Sequence, residues 1–286
     1  MDAPSSTASP GPDTPASALP ELVRFRNVTK TFGEGTQAKV AIQDVSFSVH
    51  DLPNKGELVT IVGPSGCGKS TILRIIASLL PHFPPTSGEV RVFGQTAEQP
   101  GADRGLVDQK YSLLPHLTVV ENIAFGLRLR GMGRSERSER ALEWVKKVGL
   151  EGSETKYPAE LSGGMQQRVS IAATLILNPR ILLMDEPFGA LDPRIRLRMQ
   201  ELLIQLWQEQ QGTVFLVTHS VEEAVYLGDR VFVMASKPGR LVDVLEVPRP
   251  EEPPEASRRK PWFINFTQEL LRRLEEEPPA AAGVKS

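Results

Sequence analysis

An α/β fold, a parallel sheet with a block of helices inserted into it, is what this sequence of 286 residues predicts. Three observations lead there. The apolar run at 58–62 enters a glycine-rich turn and then a helix-period stretch at 70–80, a strand–loop–helix unit. The runs at 181–184 and 213–218 are short and continuously apolar, as strands covered on both faces are. Between about residues 110 and 178 the pattern is mainly helical, so strands on either side of it belong to one sheet rather than to two sequential domains.

Taken in order, residues 1–21 are rich in Pro, Ser and Ala and too poor in large apolar side chains to offset ordering entropy, so a disordered tail is expected. Short β-rich runs follow at 23–25, 45–49 and 58–62. In the helix at 70–80, Ile72, Leu73, Ile75, Ile76 and Leu79 give a mostly buried pattern. Thr118 with Glu121 forms a capping box that opens the first inserted helix; a second is expected at 135–148, and a third from Ser162 to near Pro179. Asp192 followed by Pro193 caps a long helix whose apolar face holds Ile195, Met199, Leu202, Leu203 and Leu206. A last strand is expected at 231–234. Residues 251–286 read as an extension in which Phe263, Phe266, Leu270, Leu271 and Leu274 share one helical face. That face suits docking on the chain's own domain, or binding a partner.

Composition excludes several classes. With 33 basic against 35 acidic residues the net charge is −2, which offers no global attraction to nucleic acid. The single cysteine, Cys67, excludes an internal disulfide framework and fits a reducing compartment. Asp2 and the weakly apolar start lack a secretory signal's layout, and the longest largely apolar stretch, 171–177, is far shorter than the roughly 20 residues of a spanning helix. A cytoplasmic protein is expected, associated with a membrane only peripherally.

The chemistry begins at Gly63-Pro64-Ser65-Gly66-Cys67-Gly68-Lys69-Ser70, with Thr71 next, which satisfies the phosphate-loop pattern G-x-x-x-x-G-K-[ST] between strand and helix. Glycines let backbone N–H groups turn inward on phosphate oxygens, the helix N-terminus adds positive potential, Lys69 reaches the outer phosphates, and Ser70 ligates magnesium. The chain is therefore expected to bind MgATP. Cys67, at a helix N-terminus, is expected to have a lowered thiol pKa and to react with thiol reagents unless ATP protects it, or else to be an inert small filler. The run ending in Asp185-Glu186 delivers two carboxylates at the C-terminal end of a buried strand, where open α/β sheets place ligands. Alternation along the strand is expected to separate them, with Asp185 holding the metal and Glu186 polarising the attacking water. Ser162 heads a helix with Gly163 and Gly164 after it, a second anion site. Ser220 with Glu223 reads as a capping box that fixes the turn carrying His219.

Three stretches, Leu161-Ser-Gly-Gly-Met-Gln-Gln-Arg168, Gly189-Ala-Leu-Asp192 and Thr218-His219-Ser220, with Gln109 between the loop and the first of them, resemble the ATP-binding cassette (ABC) transporter ATPases over about residues 22–250. The resemblance implies a P-loop NTPase fold with a RecA-like core, an antiparallel β subdomain and an α-helical subdomain at about 110–178. It implies that two cassettes pair head to tail, so that Ser162, Gly163 and Gly164 of one subunit meet the γ-phosphate held by Lys69 of the other. By the same resemblance His219 contacts the γ-phosphate and orients the carboxylate, and Gln109 touches magnesium and the attacking water. Phe32 stacks on adenine, with Phe25 a nearby rival, and Asp192 sits at the subunit junction. The sequence departs from the family pattern at Asp108, commonly aromatic, and at Ala173, often arginine, and has small insertions at 51–54 and 81–83.

The wording of the motifs, and Lys237-Pro-Gly-Arg240 after them, is similar to the importer branch for nitrate, sulfonate and taurine. The stretch after Met234 is too short for the regulatory barrel of many sugar importers. The expected partners are a second cassette, an integral membrane permease whose coupling helix docks on 111–117 and the helix from Thr118, and indirectly an extracytoplasmic solute-binding protein, with no nucleic acid. An exporter ATPase or a soluble non-transport ABC ATPase is the alternative.

Overall fold

The computed structural model describes residues 19–52, 55–109, 112–236, 238–248 and 254–275. Most of the expected N-terminal tail, together with Tyr111 and Lys237, lies outside the described residues. In chain order the elements are β1 (Glu21–Phe32), β2 (Lys39–His50), β3 (Leu58–Val62), α1 (Lys69–Ile76), β4 (Ser87–Val92), β5 (Gln95–Thr96) and β6 (Arg104–Val107). Then come α2 (Val119–Leu129), α3 (Arg134–Lys147), α4 (Gly163–Leu175), β7 (Ile181–Asp185), α5 (Pro193–Gln210), β8 (Thr213–Val217) and α6 (Val221–Leu227). The chain continues through β9 (Arg230–Ala235), β10 (Arg240–Glu246), α7 (Pro254–Ser257) and α8 (Pro261–Glu275).

Two sheets divide the strands. One is antiparallel in the order β2-β1-β4-β5, and the other runs β10-β9-β3-β8-β7-β6, parallel throughout except for the β10–β9 pair. Between β6 and β7 the chain leaves the second sheet and forms α2, α3 and α4, so the helical block is an insertion between adjacent strands.

The continuous apolar runs have a direct explanation in packing. Alternate residues of the parallel strands enter opposite cores. Val59, Ile61, Leu183, Phe215 and Val217 pack with α1 and the antiparallel sheet, while Leu58, Val62, Leu182, Met184, Val214 and Leu216 pack with the helices. Each such side chain contributes about 1.5–3 kcal/mol when fully buried. Helix α1 therefore lies between the two sheets, with Ile72, Leu73, Ile75 and Ile76 all fully buried.

Several expected boundaries move. Helix α1 ends at Ile76 rather than at 80, because Ser78 takes a left-handed φ of +56° and turns the chain before Pro81. Helix α4 ends at Leu175, four residues before Pro179, and Asn178 again has positive φ (+49°). Strands β1 and β2 are much longer than the runs expected within them. In α8, Phe263 and Leu270 are buried against the core that includes α6, and Phe266 and Leu274 pack beside them, so this helix docks on its own domain. Leu271 is the exception to its expected apolar face, being exposed.

Candidate functional site

The phosphate loop spans the end of β3 and the start of α1. Gly68, the N-cap of α1, sits at φ +92°, and a Cβ there would lie 2.3 Å from Ile42 Cγ2 and 2.8 Å from the Ala41 carbonyl oxygen, so only glycine suits both the turn and the close approach of β2. Lys69 is buried, and its Nζ donates to the loop's own carbonyls at Gly63 (2.9 Å) and Pro64 (3.0 Å). Across the strand ends, Ser70 Oγ donates to Asp185 Oδ1 at 2.8 Å. Burial pushes the Asp185 carboxyl above its ordinary range, against the opposing pull of the Ser70 hydrogen bond and of Arg74.

Asp185 and Glu186 are separated by a turn, not by strand alternation as expected. Strand β7 stops at Asp185, and Glu186 adopts φ +51°, a region a glutamate seldom occupies and one that recurs at functional sites. The turn brings the Glu186 carboxylate between two partners. His219 Nε2 closes on Oε1, and Gln109 Nε2 donates to Oε2 at 3.1 Å. Gln109 follows β6 and His219 follows β8, the strands on either side of β7, so neighbouring strand ends supply all three groups. Asp108, at the position where the sequence departs from the family's common aromatic, is 3.3 Å from the Arg74 guanidinium on α1.

Phe32, Lys69, Ser70, Glu186 and His219 line one cavity of about 410 Å³, with Lys39, Ala41, Ser65, Gly66, Gly68 and Thr71. Phe32 is at the end of β1, where the His82 ring meets it edge-on at 5.1 Å between centroids and Lys30 Nζ lies 5.3 Å from its ring centre. Phe25 is buried, stacked on Phe47 at 4.5 Å, and is not among the residues lining the cavity.

Ser162 caps α4, accepting from Met165 N at 3.4 Å, and is exposed with Gly163 and Gly164 behind it. Asp192 caps α5, accepting from Arg194 N and Ile195 N at 3.1 Å each. Neither lines the cavity around Lys69 within the single chain.

Two expectations are overturned. Cys67 is fully buried, and desolvation raises its thiol pKa; Lys69 nearby only partly opposes this. Its environment is that of the inert filler rather than of a reactive thiol. Labelling of the folded protein by N-ethylmaleimide at neutral pH is therefore expected to be at least about tenfold slower than that of a free cysteine, and to accelerate as pH rises past the thiol's ordinary range, checked by mass spectrometry. The Ser220–Glu223 capping box is only half made. Ser220 Oγ accepts from Glu223 N (3.2 Å), but the Glu223 carboxylate turns inward, accepting from Thr218 Oγ1 and from Gln200 Nε2 (2.7 Å). Ser220 N donates to Thr218 Oγ1 at 3.0 Å instead. Spacing alone could not reveal this buried carboxylate, whose partner Gln200 is 23 residues away.

Known proteins are similar to this chain in sequence and in fold. The family model described as "ABC transporter" matches residues 42–189. The nitrate import ATP-binding protein NrtD of Synechocystis sp. is 45% identical over 251 residues, covering 85% of this chain and 92% of that protein. The taurine import ATP-binding protein TauB of Escherichia coli K12 is 43% identical over 247 residues, covering 85% of this chain and 94% of that protein. TauB of Rhizobium johnstonii is 52% identical over 202 residues, covering 71% and 74%. Among solved structures, the dimeric post-hydrolysis state of the ATP-binding cassette MJ0796 bound to ADP and Pi matches with a TM-score of 0.71 at 36% identity, covering 80% of this chain and 100% of that chain.

Proposed function

The chain belongs to the ABC transporter family and is an ATP hydrolase, and from that premise we propose that it drives uptake of a small anion through a membrane permease, with ATP held between two copies. The observation that carries the chemistry is the Glu186 carboxylate gripped between His219 and Gln109 in the same cavity as Lys69 and Ser70.

In this reading the triphosphate lies along the loop, Lys69 transfers its hydrogen bonds from the loop carbonyls to phosphate oxygens, and Phe32 provides the face for the base. The donors at Ser70 and Asp185 suit magnesium. That ion takes one or two carboxylates plus substrate phosphates rather than an all-protein cage, and its charge would offset the cost of ionising buried Asp185. When bound, it would neutralise phosphate charge. Gln109 would complete its water shell while holding Glu186. Water attacks the γ-phosphorus, the bond to the bridging oxygen breaks, and ADP leaves with that electron pair. Glu186 takes the water's proton; Oε2 already accepts from Gln109, Oε1 faces His219 Nε2, and each oxygen retains a lone pair.

Exposed Ser162 and half-buried Gly163 and Gly164 lie outside the single-chain cavity, which supports a site finished by a partner copy, and the dimeric state of the MJ0796 cassette bound to ADP and Pi supports the same arrangement. Asp192 would border that junction. The relatives named for nitrate and taurine import support a small cargo with an anionic group; no residue of this chain need touch it. No helix among the described residues is long and apolar enough to cross a membrane. In this reading force passes to a separate permease, with the chain on the membrane's cytoplasmic face and a solute-binding protein opposite, a reading supported by the relatives named as import ATP-binding proteins.

The receiving surface is a groove of about 300 Å³ between α2 and α3, lined by Leu117, Val120, Glu121, Ala124, Phe125, Arg128, Arg134, Arg137 and Ser138. Its mix of apolar side chains (Leu117, Val120, Ala124, Phe125) with three arginines and Glu121 suits an amphipathic helix. With the cognate permease in proteoliposomes, Arg128→Glu and Ser138→Trp should each lower solute uptake about tenfold or more while MgATP affinity stays within about twofold. Loss of nucleotide binding, or unchanged uptake, would refute this surface.

A further inference from the structure

The Thr218–Ser220 turn, which carries His219, is tied by an unbroken chain of hydrogen bonds to the C-terminal segment. Ser220 N donates to Thr218 Oγ1 (3.0 Å), Thr218 Oγ1 donates to Glu223 Oε2, and Gln200 Nε2 donates to Glu223 Oε1 (2.7 Å). The Arg258 guanidinium then donates to Gln200 Oε1 at 2.9 Å and lies over the Tyr226 ring at 4.3 Å. Thr218, Glu223 and Gln200 are all buried, and Arg258 follows the buried Ser257 between α7 and α8.

The direction of each bond matters. Burial raises the Glu223 pKa, and the Thr218 and Gln200 hydrogen bonds oppose that shift; as a carboxylate Glu223 accepts from both, so the Gln200 amide N–H faces it and the amide oxygen is left for a cation. Arg258 supplies that cation and so locks the Gln200 amide in the orientation Glu223 needs. Helix α8, anchored by Phe263 and Leu270 against the core that includes α6, holds this segment in place. At the other end, Glu186, Thr218, His219, Ser220 and Glu223 border one small cavity of about 140 Å³, so the relay and the reacting pair face the same space.

We propose that Arg258 is a positioning residue for ATP hydrolysis: through Gln200 and Glu223 it fixes the turn that presents His219 to Glu186, and the C-terminal segment thereby sets the turnover rate. This rests on the reading of His219 and Glu186 as the working pair. A buried polar chain with every link made specifies one geometry, whereas one with a missing member lets its acceptors repartner; here each link from Ser220 to Arg258 is made, while Arg258 Nε itself is buried without a partner.

The test is steady-state phosphate release by the full-length protein with its permease, comparing Arg258→Met, Arg258→Lys and His219→Ala, singly and combined. Arg258→Met, which keeps the bulk over Tyr226, should lower kcat about tenfold with KM for MgATP within about twofold, and Arg258→Lys should restore most of the rate. In the His219→Ala background, Arg258→Met should lower the residual rate no further. The His219 imidazole proton and carbon resonances of the full-length protein should shift in Arg258→Met and return in Arg258→Lys. The inference fails if His219→Ala slows turnover but Arg258→Met does not, or if Arg258→Met leaves the His219 resonances in place. It fails equally if Arg258→Met slows both backgrounds by the same factor, which is the behaviour of a general structural lesion. If His219→Ala leaves kcat unchanged, the reading of the working pair falls first and this inference falls with it.

Discussion

Replacing Glu186 by glutamine should lower phosphate release by about two to four orders of magnitude, the range for loss of a positioned general base, while leaving MgATP bound. The change removes the proton acceptor and little else. Side-chain length and volume are kept, and Phe32, Lys69 and Ser70, proposed for base, phosphates and metal, are separate from it. The new amide also disturbs the grip described above. Glu186 offers one oxygen to His219 and one to Gln109, whereas an amide offers a single oxygen, so one partner must turn or lose its acceptor. Phosphate release and equilibrium MgATP binding measured on the same sample decide the matter, with size-exclusion chromatography in MgATP reporting the pairing of two copies, which this variant should retain. Undiminished turnover would remove Glu186 from its role.

A loss of similar size but different kind is expected for Lys69→Met. Here binding should go as well as chemistry, with kcat/KM falling at least about 10²-fold, or roughly 3 kcal/mol. The lysine is buried, and among the described residues its polar contacts, apart from the Cys67 sulfur, are the Gly63 and Pro64 carbonyls of its own loop. A cation held by neutral carbonyls has much to gain from phosphate oxygens. Methionine keeps the apolar stem packed beneath the loop, so the fold should survive, and thermal melting without nucleotide should change little. The diagnostic is the rise in melting temperature on adding MgATP: it should vanish in Lys69→Met and persist in Glu186→Gln. Persistence in both would place the phosphates elsewhere.

How much of this was legible in the sequence depended on the range over which each signal acts. Features set by neighbours along the chain could be read directly. The strand at Leu58–Val62, the capping box of Thr118 and Glu121, and the caps at Ser162 and Asp192 all depend on residues within a few positions. Strands β4, β6 and β10 were not expected. Ser87–Val92 alternates charged with apolar side chains only from Glu89, Arg240–Glu246 carries a charge at every third position rather than every second, both are half exposed, and Arg104–Val107 is only four residues long, so each is a strand mainly because a partner strand lies beside it.

Within the site the same division holds. The phosphate loop and the carboxylate pair were visible from spacing. The left-handed backbone at Glu186, the inward turn of Glu223 and the burial of Cys67 follow from the meeting of distant elements, and local rules gave the wrong sense for each. The cysteine shows this most clearly, since a helix N-terminus favours thiolate but loss of water outweighs it.

Phe32 belongs to the antiparallel sheet, whereas Lys69 and Glu186 stand at the strand ends of the parallel one, yet all three border a single cavity. A nucleotide spanning that cavity would act as a rivet across the seam between two layers. Amide hydrogen exchange should therefore slow along β1 and β2, remote from the phosphates, as soon as the purine is in place, and a free triphosphate lacking a base should leave those amides as they were.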